Sequence, residues 1–418
     1  MTRRSHDPEA SSGDVRTPVL SRSAKWIGAL GPGIITAALV FGPSKITITS
    51  KMGAEYGFDL IWAIVVAIFF MMVFTGMAGR IGMATDDSYL TTVRRKWGKG
   101  VAVATGFGVF LVTSSFQAGN SVGVGIAMAE LFDTAVIPWI IAFNLLGIGL
   151  LSFRSFYKVL EKIMMTLIGL MLIAFLINLL LTRPGLPAVA GGMVPSVPKG
   201  STGLLVAFVA SSFSIVGACY QSYLVQERRR VRPDAKPNKD DSIPGILILG
   251  LMSAMVMICS AMVLKPQNVE LNTASDMAKA LEPAFGRYAS VLFLLGLFGA
   301  AFSSLIGNAS VGGTLMGDAL GYGSNFNSRI TRILIAAVMV TGAAIAAGFG
   351  RLPLELIVFA QKVTILVVPF IGISMVIIAN DVKIMGELTN TKLTRVFAGL
   401  GLLLLLGLAV EGARNLFF

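Results

Sequence analysis

Long apolar runs constrain the fold of this chain more than any other feature of its sequence. Stretches of about 20 apolar residues recur along the chain, and that length spans the hydrocarbon core of a bilayer as one helix. Inside a bilayer every backbone N–H and C=O group must find its partner within the protein, which only helices and closed barrels achieve. Because 55% of the residues are hydrophobic and 13% are charged, the sequence predicts an all-α, multi-pass membrane protein.

The apolar runs divide into eleven predicted spans. They are expected at about 26–50, 58–83, 100–131, 134–152, 156–182, 203–226, 243–265, 287–317, 330–349, 353–379 and 393–412. Residues 1–25 are polar and basic, and we expect them to form a disordered cytoplasmic tail before a single transmembrane domain over 26–418. No short apolar segment with a small-residue cleavage site follows this tail, so we expect the first span to be retained.

The net charge of +12 does not indicate a nucleic-acid partner. Lys and Arg are concentrated in the tail and in alternate short loops, where they act as orientation signals. The loop after the sixth span, for example, contains Arg228, Arg229 and Arg230. This pattern predicts a cytoplasmic N-terminus, an outer C-terminus and a place in the cell's inner membrane. The expected partners are the lipid bilayer and a small ion or solute.

Several kinds of chemistry are excluded by residue counts and positions. Cys219 and Cys259 both fall in predicted spans, so no disulfide framework is expected. The single histidine, His6, lies in the tail, which excludes an imidazole metal ligand or proton relay inside the membrane. No nucleophile–base pair and no cofactor motif is visible, so we expect neither an enzyme nor a bound cofactor.

Two predicted spans are interrupted by residues that break helices. In the first, Gly42-Pro43-Ser44-Lys45 leaves a charge at bilayer depth, where an ionisable residue marks a functional site. Irregular backbone at that depth must line a cavity. The sixth span has a polar stretch from Ser211 to Ala218; either the helix is broken there, or its hydroxyls bond to their own turn within an ordinary helix. Breaks in the first and sixth spans are typical of a transporter built from a five-plus-five inverted repeat.

The sequence around the first break resembles the Nramp family of proton-coupled divalent-metal transporters. That family carries, in order, GPG, DPGN, a glycine, FGY and a tryptophan. This chain has Gly31-Pro32-Gly33, Gly42-Pro43-Ser44-Lys45, Gly53, Gly57 and Trp62 without a gap. The similarity extends from about residue 28 to about residue 390 and includes further segments: Arg80 to Thr85, Leu224-Val225-Gln226, Ser303-Ser304 with Gly307, Gln361, Pro369, Asn380-Asp381 and Met385-Gly386. The resemblance implies a LeuT-type fold with about 11 transmembrane helices, alternating access and transport of metal ions.

The family's chemical groups do not carry over to this chain. Its metal-binding aspartate corresponds to Gly42, and its asparagine corresponds to Lys45. Aligning the sixth span without gaps places Ser214 at the methionine ligand and Val216 at the histidine. A gapped alignment that matches Ile215-Val216-Gly217-Ala218 to the family's IVGA also loses the ligand motif.

The family's proton route is replaced as well. Its two relay acids in the third span correspond to Gln117 and Asn120, which are neutral. Divalent cations need anionic oxygen, imidazole or soft sulfur ligands, and no acid lies near the middle of a predicted span. At an effective dielectric of about 20, unit charges about 4 Å apart interact by about 4 kcal/mol, and a dication doubles its repulsion from a lysine. We therefore expect no typical proton-coupled manganese or iron import, and the sequence assigns no metal ligand.

Two substrates and three roles of Lys45 are consistent with the sequence. The substrate is either a hydrated, Mg²⁺-type cation held through its waters, or a small anion or zwitterion. Lys45 either holds the broken helix ends as a fixed charge, binds the negative end of the substrate, or exchanges a proton during transport. The candidate substrate-binding residues are Gly42, Pro43, Ser44, Lys45, Ser211, Ser214 and Gln361. A transport-inactive sensor or scaffold is the alternative function.

Overall fold

The computed structural model describes residues 31–153, 155–233, 242–267, 286–349 and 354–417, with isolated positions 271, 276, 278 and 282. The predicted disordered tail, residues 1–25, lies outside the described residues. Within them, all regular secondary structure is helical. The α-helices are α1 (Gly31–Val40), α2 (Pro43–Tyr56), α3 (Ile61–Ala84), α4 (Tyr89–Trp97), α5 (Lys99–Phe132), α6 (Val136–Leu150), α7 (Phe156–Thr182), α8 (Leu186–Gly191), α9 (Thr202–Ser212), α10 (Ile215–Val231), α11 (Ile243–Val263), α12 (Arg287–Leu320), α13 (Arg329–Phe349), α14 (Leu354–Asn380), α15 (Val382–Met385) and α16 (Lys392–Phe417).

These helices account for the eleven predicted spans. Among the described residues, eight continuous or nearly continuous segments are long and apolar enough to cross a bilayer. Two bent pairs, α1 with α2 and α14 with α15, raise that number to ten. The eleventh is α6, an apolar helix of 15 residues. The predicted boundaries agree with the observed ones to within a few residues, apart from the end of the first span, which lies at Tyr56; the predicted start of that span at residue 26 lies outside the described residues.

The first span is broken at Phe41 and Gly42, and its two halves meet at an angle of 63°. Gly42 has an extended backbone (φ −99°, ψ −179°) and ends the helical path of α1. Pro43 is the first residue of α2, where its missing N–H costs no hydrogen bond and its fixed φ suits a helix start. The predicted break is therefore confirmed, but Pro43, Ser44 and Lys45 form the first turn of α2 instead of an irregular segment.

The sixth span is broken at Phe213 and Ser214, between α9 and α10. Ser214 caps α10, because its Oγ accepts a hydrogen bond from the backbone N–H of Gly217 at 3.3 Å. The hydroxyls of Ser211 and Ser212 do donate back to their own turn, at the carbonyl of Phe208. The first alternative for this span, a broken helix, is therefore confirmed, and the ordinary helix is wrong even though the hydroxyls do bond within their own turn.

The two broken spans pack against long, continuous helices. The longest described helices, α5 and α12, have 34 residues each and run against one another along much of their length. Helix α1 packs on α7, α11 and α12, while α2 packs on α11 and α9. Helix α10 packs mainly on α3. The breaks in the first and sixth spans are thereby enclosed in the interior of the helical bundle.

One end of the bundle carries most of the ordered basic residues. The C-terminal ends of α3, α10, α12 and α14 meet there around the short helix α4. This region, called the basic end below, contains Arg94, Arg95, Lys96 and the run from Arg228 to Arg230. The C-terminus of α1 and the N-terminus of α2 lie away from this end, at the middle of the bundle.

Close backbone contacts hold α11 against both halves of the first span. A Cβ atom added at Gly245 of α11 would lie 2.1 Å from the carbonyl oxygen of Gly33 in α1. A Cβ atom at Gly53 of α2 would lie 2.3 Å from the carbonyl oxygen of Met257 in α11. Glycine at such crossings allows the two helix backbones to approach closely enough for dense van der Waals packing.

We expect Gly245→Ala to destabilise the protein by about 1–3 kcal/mol, because the added methyl group must displace the backbone of α1. The matched control is Gly399→Ala in α16, where an added Cβ meets nothing within 4 Å. That change removes a helix-weakening glycine and should stabilise by up to about 1 kcal/mol. Thermal unfolding in detergent, followed by size-exclusion chromatography, should give midpoints shifted in opposite directions. Equal midpoints for the two variants would show that the α1–α11 crossing is not tightly packed.

Candidate functional site

A cavity of about 60 Å³ lies between the two breaks. Its wall is formed by residues of α1, α2, α5, α9, α10, α12 and α14. Five of the predicted site residues line it: Gly42, Ser44, Lys45, Ser211 and Ser214. The wall also includes polar residues from other helices: Thr113, Asn120, Ser304, Asn308 and Thr364.

Lys45 is the charged residue of this cavity. Its side chain is 2% exposed, and its Nζ donates a hydrogen bond to Ser212 Oγ. The same ammonium lies 4.3 Å from the centre of the Phe208 ring, within the range of a cation–π contact. Ser212 Oγ donates in turn to the carbonyl oxygen of Phe208 at 2.6 Å. Lys45 therefore connects α2, which begins at the first break, to α9, which ends at the second break. Both helix halves lie on the same side of the cavity.

The carbonyl groups at the C-terminal end of α1 are already bonded. Ser304 Oγ contacts the carbonyl oxygens of Leu39 at 3.0 Å and of Ala38 at 3.2 Å. Ser303 Oγ donates to the same Ala38 carbonyl at 2.9 Å. Unwound carbonyls at the C-terminus of a half-helix are the groups that coordinate a cation in transporters of this architecture. Here the hydroxyls of Ser303 and Ser304 in α12 already donate hydrogen bonds to these carbonyl groups.

The position of Gly42 leaves no room for a larger side chain. A Cβ atom there would lie 2.8 Å from Ser304 Oγ and 3.1 Å from Asn120 Oδ1. An aspartate at this position would have to displace a serine that is itself bonded to α1. The carboxylate expected from the resemblance is thus missing, and its space is filled.

Gln117 and Asn120, the two neutral residues predicted at the relay positions, have different surroundings. Asn120 is 3% exposed and lines the cavity, while its Nδ2 has no hydrogen-bond partner among the described residues. Gln117 is fully buried outside the cavity wall and lies against α13, where a Cβ at Gly342 would be 2.3 Å from its Cγ. In the part of the chain that the structure describes, neither amide atom of Gln117 has a partner.

Two further predicted site residues do not contribute to the described cavity wall. The ring of Pro43 packs on α5, where a Cβ at Gly123 would lie 2.3 Å from the proline Cγ. Pro43 therefore shapes the helix start and the α2–α5 contact, and the cavity is lined by its neighbours. Gln361 belongs to α14, but its side chain lies outside the described part of the chain.

Ser212, Phe208, Ser303 and Thr113 were not singled out from the sequence. Ser212 and Phe208 are the contacts of Lys45, but they are separated from it by more than 160 residues. Ser303 was noted only as part of the family resemblance. A serine pair in an apolar span is a weak signal, because such hydroxyls commonly bond within their own helix.

Among the described residues no acid lines the cavity, and the buried acids Asp318 and Glu161 lie toward the basic end. Asp318 is fully buried and accepts hydrogen bonds from Tyr223 Oη at 2.7 Å and from Thr91 Oγ1 at 2.9 Å. Arg232 pairs with Glu161 at 2.8 Å. These contacts tie α10 to α4, α7 and α12. Among the described residues no group of three or more His, Cys, Asp or Glu side chains could hold a metal ion.

The contacts of Lys45 generate a prediction about stability. Ser212→Ala leaves the buried ammonium without its hydrogen-bond acceptor and should cost about 1–3 kcal/mol. Lys45→Met removes the buried charge while keeping much of the side-chain volume, so we expect an unchanged or raised unfolding midpoint in detergent. In the double variant Lys45→Met/Ser212→Ala, the destabilisation caused by Ser212→Ala should largely disappear, because the ammonium that donates to Ser212 is absent.

The opposite order of midpoints would contradict this interpretation. If Lys45→Met were the more destabilising single change, the lysine would be a structural charge that holds the broken helix ends together. Its role in binding would then have no support from the geometry of the site.

Comparisons with known proteins agree with this architecture. Residues 33–413 match the Nramp family, described as natural resistance-associated macrophage protein-like. The divalent metal cation transporter MntH of Deinococcus radiodurans is 25% identical over 381 residues, which cover 87% of this chain and 84% of the relative. The protein of the same name from Chromohalobacter salexigens is 25% identical over 387 residues, which cover 89% of this chain and 87% of the relative.

Solved structures show the same fold. The Eremococcus coleocola manganese transporter superposes with a TM-score of 0.77 at 18% identity, covering 96% of this chain and 88% of its own. MHP1, a nucleobase-cation-symport-1 family transporter, gives a TM-score of 0.50 at 13% identity, over 92% of this chain and 93% of its own. These two likenesses establish a LeuT-type fold. Since the family match covers most of the sequence, the chain belongs to the Nramp family and is a multi-pass membrane transporter.

Proposed function

We propose that this transporter carries a small, negatively charged solute, which binds in the cavity between the two breaks and crosses the membrane by alternating access. The observation that carries the proposal is the ammonium of Lys45. Among the described residues that line the cavity it is the only charged group, and none of them is an acid, a histidine, a cysteine or a methionine.

The electrostatics of the site favour an anion over a dication. At an effective dielectric of about 20 and a separation of about 4 Å, an ammonium attracts a monoanion by about 4 kcal/mol and repels a dication by about 8 kcal/mol. Helices α2 and α10 both begin at the cavity, with Ser44 and Ser214 in its wall. Helix N-termini carry partial positive charge and unpaired backbone N–H groups, which add to the attraction of an anion.

The same lysine offers a way to couple binding to movement. In the structure Lys45 is bonded to Ser212 and so joins α2 to α9. An anion that takes a hydrogen bond from Lys45 competes with Ser212 and weakens this connection. A ligand shifts a conformational equilibrium only through different affinities for the two states. We infer that the state in which Lys45 has left Ser212 binds the anion more tightly.

The neutral residues on α5 argue against proton coupling by the usual route. Gln117 and Asn120 stand where the relay acids of the resemblance would be, and amides do not exchange a proton at physiological pH. We therefore propose that transport does not depend on that relay. We also propose that the basic end faces the cytoplasm, which places the N-terminus inside and the C-terminus outside.

A divalent cation is the second candidate substrate. It is favoured by the relatives from Deinococcus radiodurans and Chromohalobacter salexigens, both named divalent metal cation transporters. In this chain such an ion would have to be held through its waters by hydroxyls and amides, as Mg²⁺ permits. Lys45 would then have to lose its proton or move away from the cavity.

The sign of the transported charge tests the proposal. In proteoliposomes on a solid-supported membrane, concentration jumps of sodium salts from formate to glutamate should produce a current of inward negative charge for at least one small anion. Lys45→Met should abolish that current. Lys51→Met, at a half-buried position of the same helix outside the described cavity wall, should leave it within about twofold of the wild type, since its partly exposed pair with Glu55 contributes little.

Alternating access needs its own control, because a sensor or scaffold with this fold would also give no current. In a background with Cys219→Ala and Cys259→Ala, the variant Ser214→Cys should react with an impermeant thiol reagent from either side of the membrane in turn. Reaction from one side only, in all conditions, would indicate a fixed conformation. A positive charge moving inward with Mn²⁺ or Mg²⁺ would overturn the anion proposal in favour of the second candidate.

A further inference from the structure

A buried cluster of hydrogen bonds joins three helices at the basic end. The carboxylate of Asp318, in the last turn of α12, accepts hydrogen bonds from Tyr223 Oη of α10 at 2.7 Å and from Thr91 Oγ1 of α4 at 2.9 Å. The backbone N–H of Leu90 in α4 donates to the same Tyr223 Oη at 3.1 Å. These four residues, called the Asp318 cluster below, therefore connect α4, α10 and α12 in a closed circuit. Asp318 and Tyr223 are both buried, so water does not compete for their bonds in this conformation.

The short helix α4 is also fixed to the helices on either side of it. Arg94 Nη2 donates to the carbonyl oxygens of Asp318 at 3.0 Å and of Ala319 at 2.6 Å. Carbonyl groups in the last turn of a helix have no partner within the helix, and Arg94 supplies one. Tyr89 Oη of α4 lies 2.6 Å from Ser374 Oγ of α14. Helix α4 thus connects α12 to α14, and the Asp318 cluster adds α10 to this connection.

The Asp318 cluster lies on helices that line the cavity, on the side toward the basic end. At a rise of about 1.5 Å per residue, Tyr223 lies about 14 Å beyond Ser214 along α10, and Asp318 lies about 10 Å beyond Val311 along α12. Helices α10 and α12 pack directly on each other along only a short stretch. The cluster therefore supplies bonds across a seam that has little packing of its own. The cavity cannot open to the basic end between these two helices while the cluster is intact.

A carboxylate suits a contact that has to open and close. When the helices are joined, Tyr223 and Thr91 satisfy the buried carboxylate, which would otherwise be costly to keep from water. When the helices separate and water enters the seam, water satisfies the same group. An apolar residue at this position would instead resist hydration. Asp318 is therefore compatible with both arrangements, and a few hydrogen bonds decide which of them is favoured.

We propose that the Asp318 cluster closes the transport pathway at the basic end, and that Asp318 and Tyr223 are positioning residues that separate each time the cavity opens there. This role rests on the alternating access of the proposed function and is the same for either candidate substrate. Weakening the cluster should shift the protein toward the state that is open at the basic end, because fewer bonds then favour the closed state.

Two neighbouring tyrosines of α10 provide a matched pair of variants. Tyr223→Phe removes the hydroxyl of the cluster and keeps the aromatic side chain. Tyr220→Phe, about one turn earlier, is the control, since Tyr220 is also buried but its Oη has no hydrogen-bond partner among the described residues. Each change is added to the Ser214→Cys protein in the background without native cysteines. The rate of labelling by an impermeant thiol reagent is then measured from each face, in inside-out membrane vesicles and in intact cells.

Tyr223→Phe should raise the labelling rate from the basic end about tenfold and lower the rate from the opposite face, because it removes a hydrogen bond to a carboxylate. Tyr220→Phe should leave both rates within about twofold of the parent protein, since it removes no such bond. Arg95→Cys, in the background without native cysteines and with Ser214 retained, identifies the face that carries the basic end, because Arg95 is exposed there.

Asp318→Asn provides a second variant in case Tyr223→Phe prevents folding. It keeps the shape of the side chain but weakens both hydrogen bonds, so it should shift the labelling in the same direction. Unfolding midpoints are measured alongside, because a purely structural residue would lower the midpoint without changing which face is labelled. If the parent is labelled from both faces and both variants behave like Tyr220→Phe, the closing role of the cluster is overturned and alternating access stands. Labelling of Ser214→Cys from one face only, in every variant, would overturn both.

Discussion

The buried ammonium of Lys45 is the interaction on which the rest of the site depends. A charge at bilayer depth needs hydrogen bonds and a polarisable neighbour, and Lys45 finds them in Ser212 and the Phe208 ring. Those contacts exist only because both spans are broken at the same depth. The break brings the start of α2 beside the end of α9 and leaves a cavity between them. The charge, the broken helices and the cavity are therefore parts of one arrangement.

The fold of the Nramp family is retained here with reversed electrostatics. The described cavity wall contains the ammonium of Lys45 and no carboxylate, and the carbonyl groups at the end of α1 accept hydrogen bonds from Ser303 and Ser304. A Cβ atom at Gly42 would crowd Ser304 Oγ, so an aspartate there would require that serine to move away from α1. A shared fold does not determine the substrate, since binding depends on a few groups placed on a common framework. We therefore propose an anion for this site, although relatives in the family are named divalent metal cation transporters.

Much of the architecture could be predicted from the sequence, because the bilayer imposes strong rules. Apolar length alone placed the spans, and Gly42-Pro43 located the first break to within a residue or two. The site was predicted less completely. Pro43 and Gln117 lie outside the cavity wall, since the sequence does not show which face of a helix its neighbours cover. Ser212 was missed as the partner of Lys45 because that contact joins residues 167 positions apart. Asn120 lines the cavity, and the lack of a partner for its amide nitrogen among the described residues is visible only from the packing.

The most direct test of this account is uptake of divalent cations by the wild-type protein. Proteoliposomes containing a trapped fluorophore sensitive to Mn²⁺ or Mg²⁺ should show no protein-dependent uptake with the wild type. Lys45→Asn should show no more than a slow gain, because removing the charge lifts the repulsion without supplying ligands. Rapid saturable uptake of either ion by the folded, monodisperse wild-type protein would contradict the account. It would mean that hydroxyls, amides and waters hold a dication despite Lys45, and that the charge at the break does not determine what this transporter carries.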